Sequence, residues 1–469
     1  MLVTILTVGE VLYVVALATW ILFEKRSPVA TLAWILSLVA LPYVGFVIFF
    51  FLGPRRLVRK RLKHRRARGK VRANVEMKDP GAVPQDPRIA QIDRLAVRAG
   101  EAPADRCEDV EIFHDAASTY DAIEKAIREA KHHVHVAYYI FDSGEAGTRI
   151  GRALAAKAKE GVEVRLLLDD VGSSAMTRAF RKELRAAGVR LALFNRVTFS
   201  RIRSRFDFRN HRKIVVVDGC IGFTGGINIT DDYVVRPNQE PPWRDTHVRI
   251  AGDAVRWLQL TFLDDWHYAT NYVPREPAYF PTPKEKGEHR VQIIGSGPDR
   301  ELEPIQKTYF AAMALAGERI YVTTPYFVPD DAILTALTTA ALRGVDVRVL
   351  VPRRSDSLVV TAAARSYYDA VLAAGVRVYE YQPTMVHAKT LVVDDFFAAV
   401  GTANMDNRSF RLNFEVTAIL YGETHSKVLA DRFKKDLRDA KEIKAHSRKD
   451  LPLRWRLAEA GARVLSPLL

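Results

Sequence analysis

Residues 211 to 228, HRKIVVVDGCIGFTGGIN, are written almost a second time at 387 to 404, HAKTLVVDDFFAAVGTAN. The first stretch holds His211, Lys213, Asp218, Gly225 and Asn228; the second holds His387, Lys389, Asp394, Gly401 and Asn404 at the same offsets. One chance match to five such positions has odds on the order of one in ten thousand, so two matches mean an internal duplication. The surroundings repeat as well. AIREAKHHVHVAYYIF, an amphipathic helix running into a strand, is answered by AAMALAGERIYVTTPYF. AAKAKEGVEVRLLLDD is answered by TTAALRGVDVRVLVP, and AAGVRLALF at 186 by AAGVRVYEY at 373. Helices alternating with short apolar strands predict an α/β fold of two tandem units, each a sheet covered on both faces. Two such units should pack about a pseudo-twofold axis. That packing can bring His211 and His387 into one cleft, where a single unit offers half a site.

The β-branched run after each Lys predicts a strand, so each His shares a face with the Lys two residues on. Gly-Gly or Gly-Thr then predicts a tight turn where backbone can approach a ligand, and Asn228 and Asn404 add an amide. An ammonium, an amide and nearby N–H groups suit a phosphate oxygen. An imidazole beside that phosphate can attack it or pass it a proton. Two copies supply a two-step phosphoryl exchange: one His attacks phosphorus, and the other protonates the departing alcohol and deprotonates the incoming one. Carboxylates must orient the imidazoles and fix their tautomers; Asp245 in WRDTH follows the first copy and Glu415 in NFEV the second. Two His could also bind metal, but Lys stands where a third ligand would be, so no metal or other cofactor is expected. Asp218 and Asp394 close a strand, where turn preferences favour a cap. They remain with His211, Lys213, His387 and Lys389 in the candidate catalytic set.

The chain has 469 residues, room for two or three domains, and a net charge of +15, which calls for an anionic partner, nucleic acid or an acidic membrane. Cys107 and Cys220 give no disulfide framework and suit a reduced compartment. Eleven Lys or Arg and no acid lie between Arg55 and Arg72. Val3 to Phe23 carries one charge, Glu10, and Val29 to Leu52 none; each is long enough to cross a hydrocarbon core of about 30 Å. Ala16-Leu17-Ala18 suits a cleaved signal peptide, but no basic segment precedes it and the apolar run continues. EKRSP allows only a tight hairpin, and its two basic residues against eleven after the second span place the bulk of the chain in the cytoplasm. Pro42 would kink the second helix; Glu10, near one end of its span, suits an interfacial or helix-pairing role. The basic collar is expected to be a helix attracted to anionic headgroups, at about 1 kcal/mol per residue, or a topology signal. Residues 74–105 read as a Pro- and Gly-rich linker. The terminal LPLRWRLAEAGARVLSPLL reads as an amphipathic helix with Arg454, Arg456 and Arg463, lying on a bilayer or, preferably, packing on the second unit. The expected boundaries are 1–54 for the transmembrane hairpin, 55–105 for the basic segment and linker, 106–285 for the first unit, and 286–469 for the second unit with its helical tail.

The pattern H-x-K-x4-D-x6-G-[GST]-x-N, present twice, resembles the phospholipase D superfamily. The whole chain is similar to the bacterial cardiolipin synthases within it that carry two N-terminal membrane spans. RSPVATLAWILSLVALPYVG, LLLDDVGS, FRNHRKI, TTPYFVP, GTANMDNRSFRLNFE and the terminal SPLL follow in family order. The resemblance implies transfer of a phosphatidyl group from one phosphatidylglycerol to another, giving cardiolipin and glycerol through a covalent phosphohistidine without metal. It implies His211 and His387 as nucleophile and acid/base, Lys213, Lys389, Asn228 and Asn404 as phosphate holders, and Asp245 and Glu415 as His-orienting acids. Ala388 and Thr402 stand where Ser is frequent; Thr402 keeps a hydroxyl for the phosphate, while Ala388 removes one polar contact. It implies a multi-pass protein of the bacterial inner membrane, its catalytic domains cytoplasmic, its partners phosphatidylglycerol and anionic lipids, with no nucleic acid. The rival is the same chemistry with water as acceptor, a membrane-anchored phospholipase D, phosphodiesterase or nuclease. An idle scaffold would have lost a His or Lys, and none is lost. The nucleophile's identity, a second donor such as phosphatidylethanolamine, and the oligomeric state stay open at this point.

Overall fold

The computed structural model describes residues 2–23, 28–40, 85–196, 208–235, 241–272, 276–282 and 287–466. The chain divides into two units, Met1–Arg61 and Leu62–Leu469. The first contains the helices Leu2–Phe23 and Pro28–Ala40. Leu17 and Ile21 are buried among Tyr13, Trp20 and Trp34, whereas Val8, Leu12, Val15, Leu32, Leu36 and Val39 are exposed. Counted over the described residues alone, no helix is long and apolar enough to cross a membrane. Several side chains of both helices, Glu10 among them, and all of residues 41–84 lie outside that count. The end of the expected second span, Pro42 and the basic collar therefore fall outside the described residues.

In the larger unit the first copy contributes β1 (Asp105–Phe113), β2 (His133–Tyr138), β3 (Glu163–Asp169), β4 (Arg190–Phe194), β5 (Ile214–Val217), β6 (Ile221–Gly225) and β7 (His247–Gly252). The second contributes β8 (His289–Ser296), β9 (Arg319–Thr323), β10 (Phe327–Val328), β11 (Asp346–Pro352), β12 (Arg377–Tyr381) and β13 (Thr390–Val393). It continues with β14 (Phe397–Gly401), β15 (Met405–Asp406), β16 (Glu415–Tyr421) and β17 (Ala440–Ile443). All but β10 and β15 join one mixed sheet, β17-β12-β11-β9-β13-β14-β16-β8-β1-β7-β6-β5-β2-β3-β4. At its centre β1 runs antiparallel to β8, with Asp105 opposite Val291. Outward from there the order is β7-β6-β5-β2-β3-β4 on one side and β16-β14-β13-β9-β11-β12 on the other, so every strand of the first copy has its counterpart. This is the pseudo-twofold arrangement the duplication predicts.

Within each copy three strands run parallel, β2-β3-β4 and β9-β11-β12. Parallel neighbours need a crossover, which the helices Glu145–Lys159, Arg178–Ala186, Asp331–Leu342 and Leu358–Arg365 supply. The antiparallel hairpins β5-β6 and β13-β14 follow and carry the chain back toward the centre.

The linker reading of residues 74–105 is corrected over its second part. Pro87–Arg98 is a helix, with Asp86 as N-cap and Pro87 in its first turn. Ile89, Ile92 and Ala96 are buried in the core of the second copy, and Glu101 accepts a hydrogen bond from the Gly295 N–H of β8 at 2.9 Å. Asp and Pro, read as turn formers, here start a helix, the other setting that suits both residues. The C-terminal helix, Leu453–Val464, packs on the second copy through Glu459 and Ala462, as preferred.

Candidate active site

Each histidine lies in an extended segment just before a strand, and each segment is held by the other copy. The His211 N–H donates to Phe414 O at 2.9 Å and the His387 N–H to Arg244 O at 2.7 Å. Parallel bridges join Asn210 to Phe414 and Arg244 to Val386. Buried ion pairs fasten the same crossings. Arg212 meets Asp265 at 2.5 Å and donates to the Ser296 and Glu415 carbonyls, while Arg244 meets Asp436 at 2.6 Å.

The crossing decides which acid serves which imidazole. His211 Nδ1 lies 2.9 Å from Glu415 Oε2 and 3.1 Å from the Thr402 carbonyl. His387 Nδ1 lies 2.7 Å from Asp245 Oδ2. So the acid of the second copy orients the histidine of the first, and the reverse. With Nδ1–H donated to a carboxylate, Nε2 is the lone-pair nitrogen on each ring. Both histidines, with Asn228 and Asn404, line one cavity of about 380 Å³.

Lys213 and Lys389 are buried and do not line the cavity, and each ammonium donates to the carbonyl of its own histidine. Burial pushes His387 down to about 3, Lys389 adding to the shift and Asp245 opposing it. Burial also lowers His211, against Glu415 and with both lysines. Each lysine thus acts on the histidine of the other copy as well as its own, as close convergence requires. Burial lowers Lys213 to about 8 and Lys389 to about 7, against the pull of Asp245 and Glu415. For both carboxylates burial favours protonation, but the adjoining imidazoles and ammonium groups outweigh it and hold them ionised.

Asp218 and Asp394 do not reach this site. Asp218 sits past the whole of β5, about 16 Å along the chain from Lys213 at the usual strand rise. Its carboxylate accepts the N–H groups of Lys131, His132 and His133 at 2.8, 2.8 and 2.9 Å. Asp394 does the same for Gly317, Glu318 and Arg319 at 2.8, 2.8 and 2.9 Å. Both have left-handed backbones, φ 51° and 47°, which Asp tolerates in a hairpin turn. Their place in the catalytic set is corrected to the turn-capping role.

Thr402 is corrected too. It is fully buried, and its hydroxyl donates to Glu415 Oε2 at 2.5 Å while accepting the Val416 N–H at 2.9 Å. Its oxygen supports the acid instead of facing the cavity. The first copy has Gly226 at this offset, because a Cβ there would run into the Asp245 carboxylate. Tyr233 takes over the support, its OH donating to Asp245 Oδ2 at 2.9 Å and lying 2.9 Å from His387 Nδ1. Ala388 is fully buried and forms none of the cavity wall.

Several wall residues were not anticipated: Arg209, Arg408, Tyr139, Trp243, Tyr326, Asp356 and Asn413. Asn413 donates to Glu415 Oε1 at 3.1 Å, and its spacing of two from Glu415 was a usable signal. Nothing in the spacing singles out Tyr233, which reaches Asp245 only through tertiary packing.

A duplicated α/β unit with crossed His–carboxylate pairs over one shared cavity defines a phospholipase D-like protein. The family model described as "Cardiolipin synthase, PLD-like domain" matches residues 123–266 and 309–437, and that described as "Phospholipase_D-nuclease N-terminal" matches 11–54. The chain is 41% identical over 463 residues to a cardiolipin synthase of Geobacillus kaustophilus, covering 97% of this chain and 92% of the relative. It is 40% identical over 471 residues to one of Alkalihalophilus pseudofirmus, covering 99% and 94%. The chain belongs to the cardiolipin synthase family of phospholipase D-like proteins. Its fold is shared with a crystal structure of phosphatidylserine synthase from Haemophilus influenzae, at TM-score 0.61 and 15% identity, covering 81% of this chain and 100% of that one.

Proposed function

We propose that this chain is a phosphatidyltransferase that makes cardiolipin and glycerol from two molecules of phosphatidylglycerol. The observation that carries the reading is that His211 and His387, each backed by a buried carboxylate from the opposite copy, line a single cavity. One neutral imidazole attacks phosphorus through Nε2 and forms a phosphohistidine. The other enters the step as an imidazolium, gives its Nε2 proton to the departing glycerol, and as the neutral ring then removes one from the hydroxyl of the second phosphatidylglycerol, whose oxygen displaces the histidine. Lys213 and Lys389 stabilise charge on the phosphoryl oxygens as it develops, and Asn228 and Asn404 border the same space. Burial favours the neutral ring, the form the nucleophile needs, while the ionised acid beside the other ring favours the imidazolium that protonates glycerol. Arg209 and Arg408 in the wall suit an anionic diester.

The N-terminal unit serves as a two-helix membrane anchor in this reading. Its support is the apolar sequence of residues 3–23 and 29–52 and the outward-facing Val8, Leu12, Leu32 and Leu36. The basic collar then holds the catalytic unit on the cytoplasmic face of the bacterial inner membrane. The test is the full chain in detergent with phosphatidylglycerol as sole lipid. Cardiolipin and glycerol in equal amounts are expected; phosphatidic acid without cardiolipin would mark water as the acceptor and reject synthesis.

A further inference from the structure

We propose that the groove between the helices Leu358–Arg365 and Leu453–Val464 holds an acyl chain of the lipid whose phosphate lies between His211 and His387. The proposal rests on the lipid-exchange reading above. The groove has a volume of about 870 Å³, with Leu358, Val359 and Ala362 on one wall and Trp455, Ala458 and Leu465 on the other. Leu358 is 83% exposed and Trp455 52%, although both belong to helices with a packed face. The terminal helix is already fixed by buried Ala462 and by the Arg448–Glu459 ion pair at 2.7 Å. Its tryptophan and leucines are not needed to hold it. A contiguous apolar surface of this kind marks a ligand or partner site.

What points to a lipid chain is the wall shared with the catalytic cavity. Asp356 and Val360, four residues apart, border the cavity, while Leu358, Val359 and Ala362 from the same short segment border the groove. A diester bound at the histidines therefore has an apolar trough one helix away. Arg353 and Arg354 also line the groove and are exposed, a charged border to its apolar walls. Leu457 also lines the groove, and Leu453 and Val464 extend the exposed apolar surface beyond it. Each chain methylene taken from water into the trough contributes roughly a factor of four in affinity, enough for a few contacts to select long-chain substrate.

The experiment uses the full chain in non-brominated detergent micelles containing phosphatidylglycerol brominated along its acyl chains. The signal is the fluorescence lost in the wild type but not in Trp455→Phe. Expected is quenching of Trp455 that water-soluble dihexanoyl phosphatidylglycerol displaces, because it occupies the phosphate cleft, and that Leu358→Asp weakens at least roughly tenfold in apparent affinity, the equivalent of about two buried methylenes. Leu358 is exposed, so that substitution leaves the core intact. Absence of quenching overturns the proposal. Quenching that the short-chain lipid does not displace, or that Leu358→Asp leaves unchanged, marks a general bilayer contact and overturns it equally. Cardiolipin formation in the same micelles is followed in parallel: a saturable groove without cardiolipin rejects the synthesis reading and leaves the groove standing.

Discussion

Replacing Glu415 by Gln removes one charge from the second copy and should cripple the histidine of the first. The carboxylate oxygen lies 2.9 Å from His211 Nδ1, and Thr402 and Asn413 hold it in place. Gln has nearly the same shape and can still accept from the ring, so the geometry survives and the charge does not. When His211 becomes cationic, the lost attraction between charge centres about 4 Å apart is ~4 kcal/mol at an effective dielectric constant of about 20. Each 1.36 kcal/mol is roughly tenfold in rate, so kcat for cardiolipin formation should fall by about 10³. A second readout separates this from a packing defect. Glu415 pulls the His211 pKa upward against burial, so removing it lowers that pKa further. The acid limb of kcat/KM should move to lower pH. A Glu415→Gln enzyme within tenfold of wild type, or with its acid limb unmoved, would refute the crossed pairing as the source of orientation.

Lys213→Ala should cost roughly 2–4 kcal/mol of barrier, as for other lost oxyanion donors, measured as kcat on phosphatidylglycerol. Burial lowers Lys213 to about 8 and Lys389 to about 7, and in the proposed role it is the positive form that holds phosphate. kcat/KM should therefore fall as pH rises through 7 to 8, and Lys389→Arg, which keeps its charge, should carry that limb upward; a flat profile from pH 7 to 9 counts against the role. Asp218→Ala should act on stability, leaving three backbone N–H groups without their acceptor, at about 1–3 kcal/mol. The Asp218 carboxyl is held below its ordinary value by those N–H groups, against burial. Its contribution is present above the unfolded value of ~3.9 and lost as pH falls further. Chemical unfolding at pH 7 and pH 3 should show the difference between wild type and variant shrinking in acid, with kcat of the folded variant near normal.

The duplication, the strand pattern and the paired His-Lys sets were legible because each is local. Repetition at fixed offsets identifies His211 and His387, and β-branched runs identify β5 and β13. Which acid meets which ring was not legible. It depends on the β1–β8 pairing at the centre of the sheet and on single-residue bridges at Asn210 and Arg244, which leave no periodic trace. The Thr402 hydroxyl suits a phosphate by its chemistry alone, but the chain turns it toward Glu415, a matter of rotamer and register. The helix at 87–98 is not legible in the sequence because Asp and Pro start helices as readily as they make turns, and only burial of Ile89 and Ile92 distinguishes the two. The exposed apolar stripe on Leu453–Val464 was visible as amphipathicity, but its relation to the catalytic cavity required the fold.

The most direct test is rapid acid-free quenching of the enzyme with phosphatidylglycerol labelled at phosphorus, followed by mapping of the labelled peptide. Label should appear on His211 or His387 and on no other residue, and disappear when that histidine is replaced by Ala; replacing its counterpart should abolish turnover to cardiolipin. Label on neither histidine, or near-normal cardiolipin synthesis with either one replaced, would contradict a shared site built from both halves of the chain.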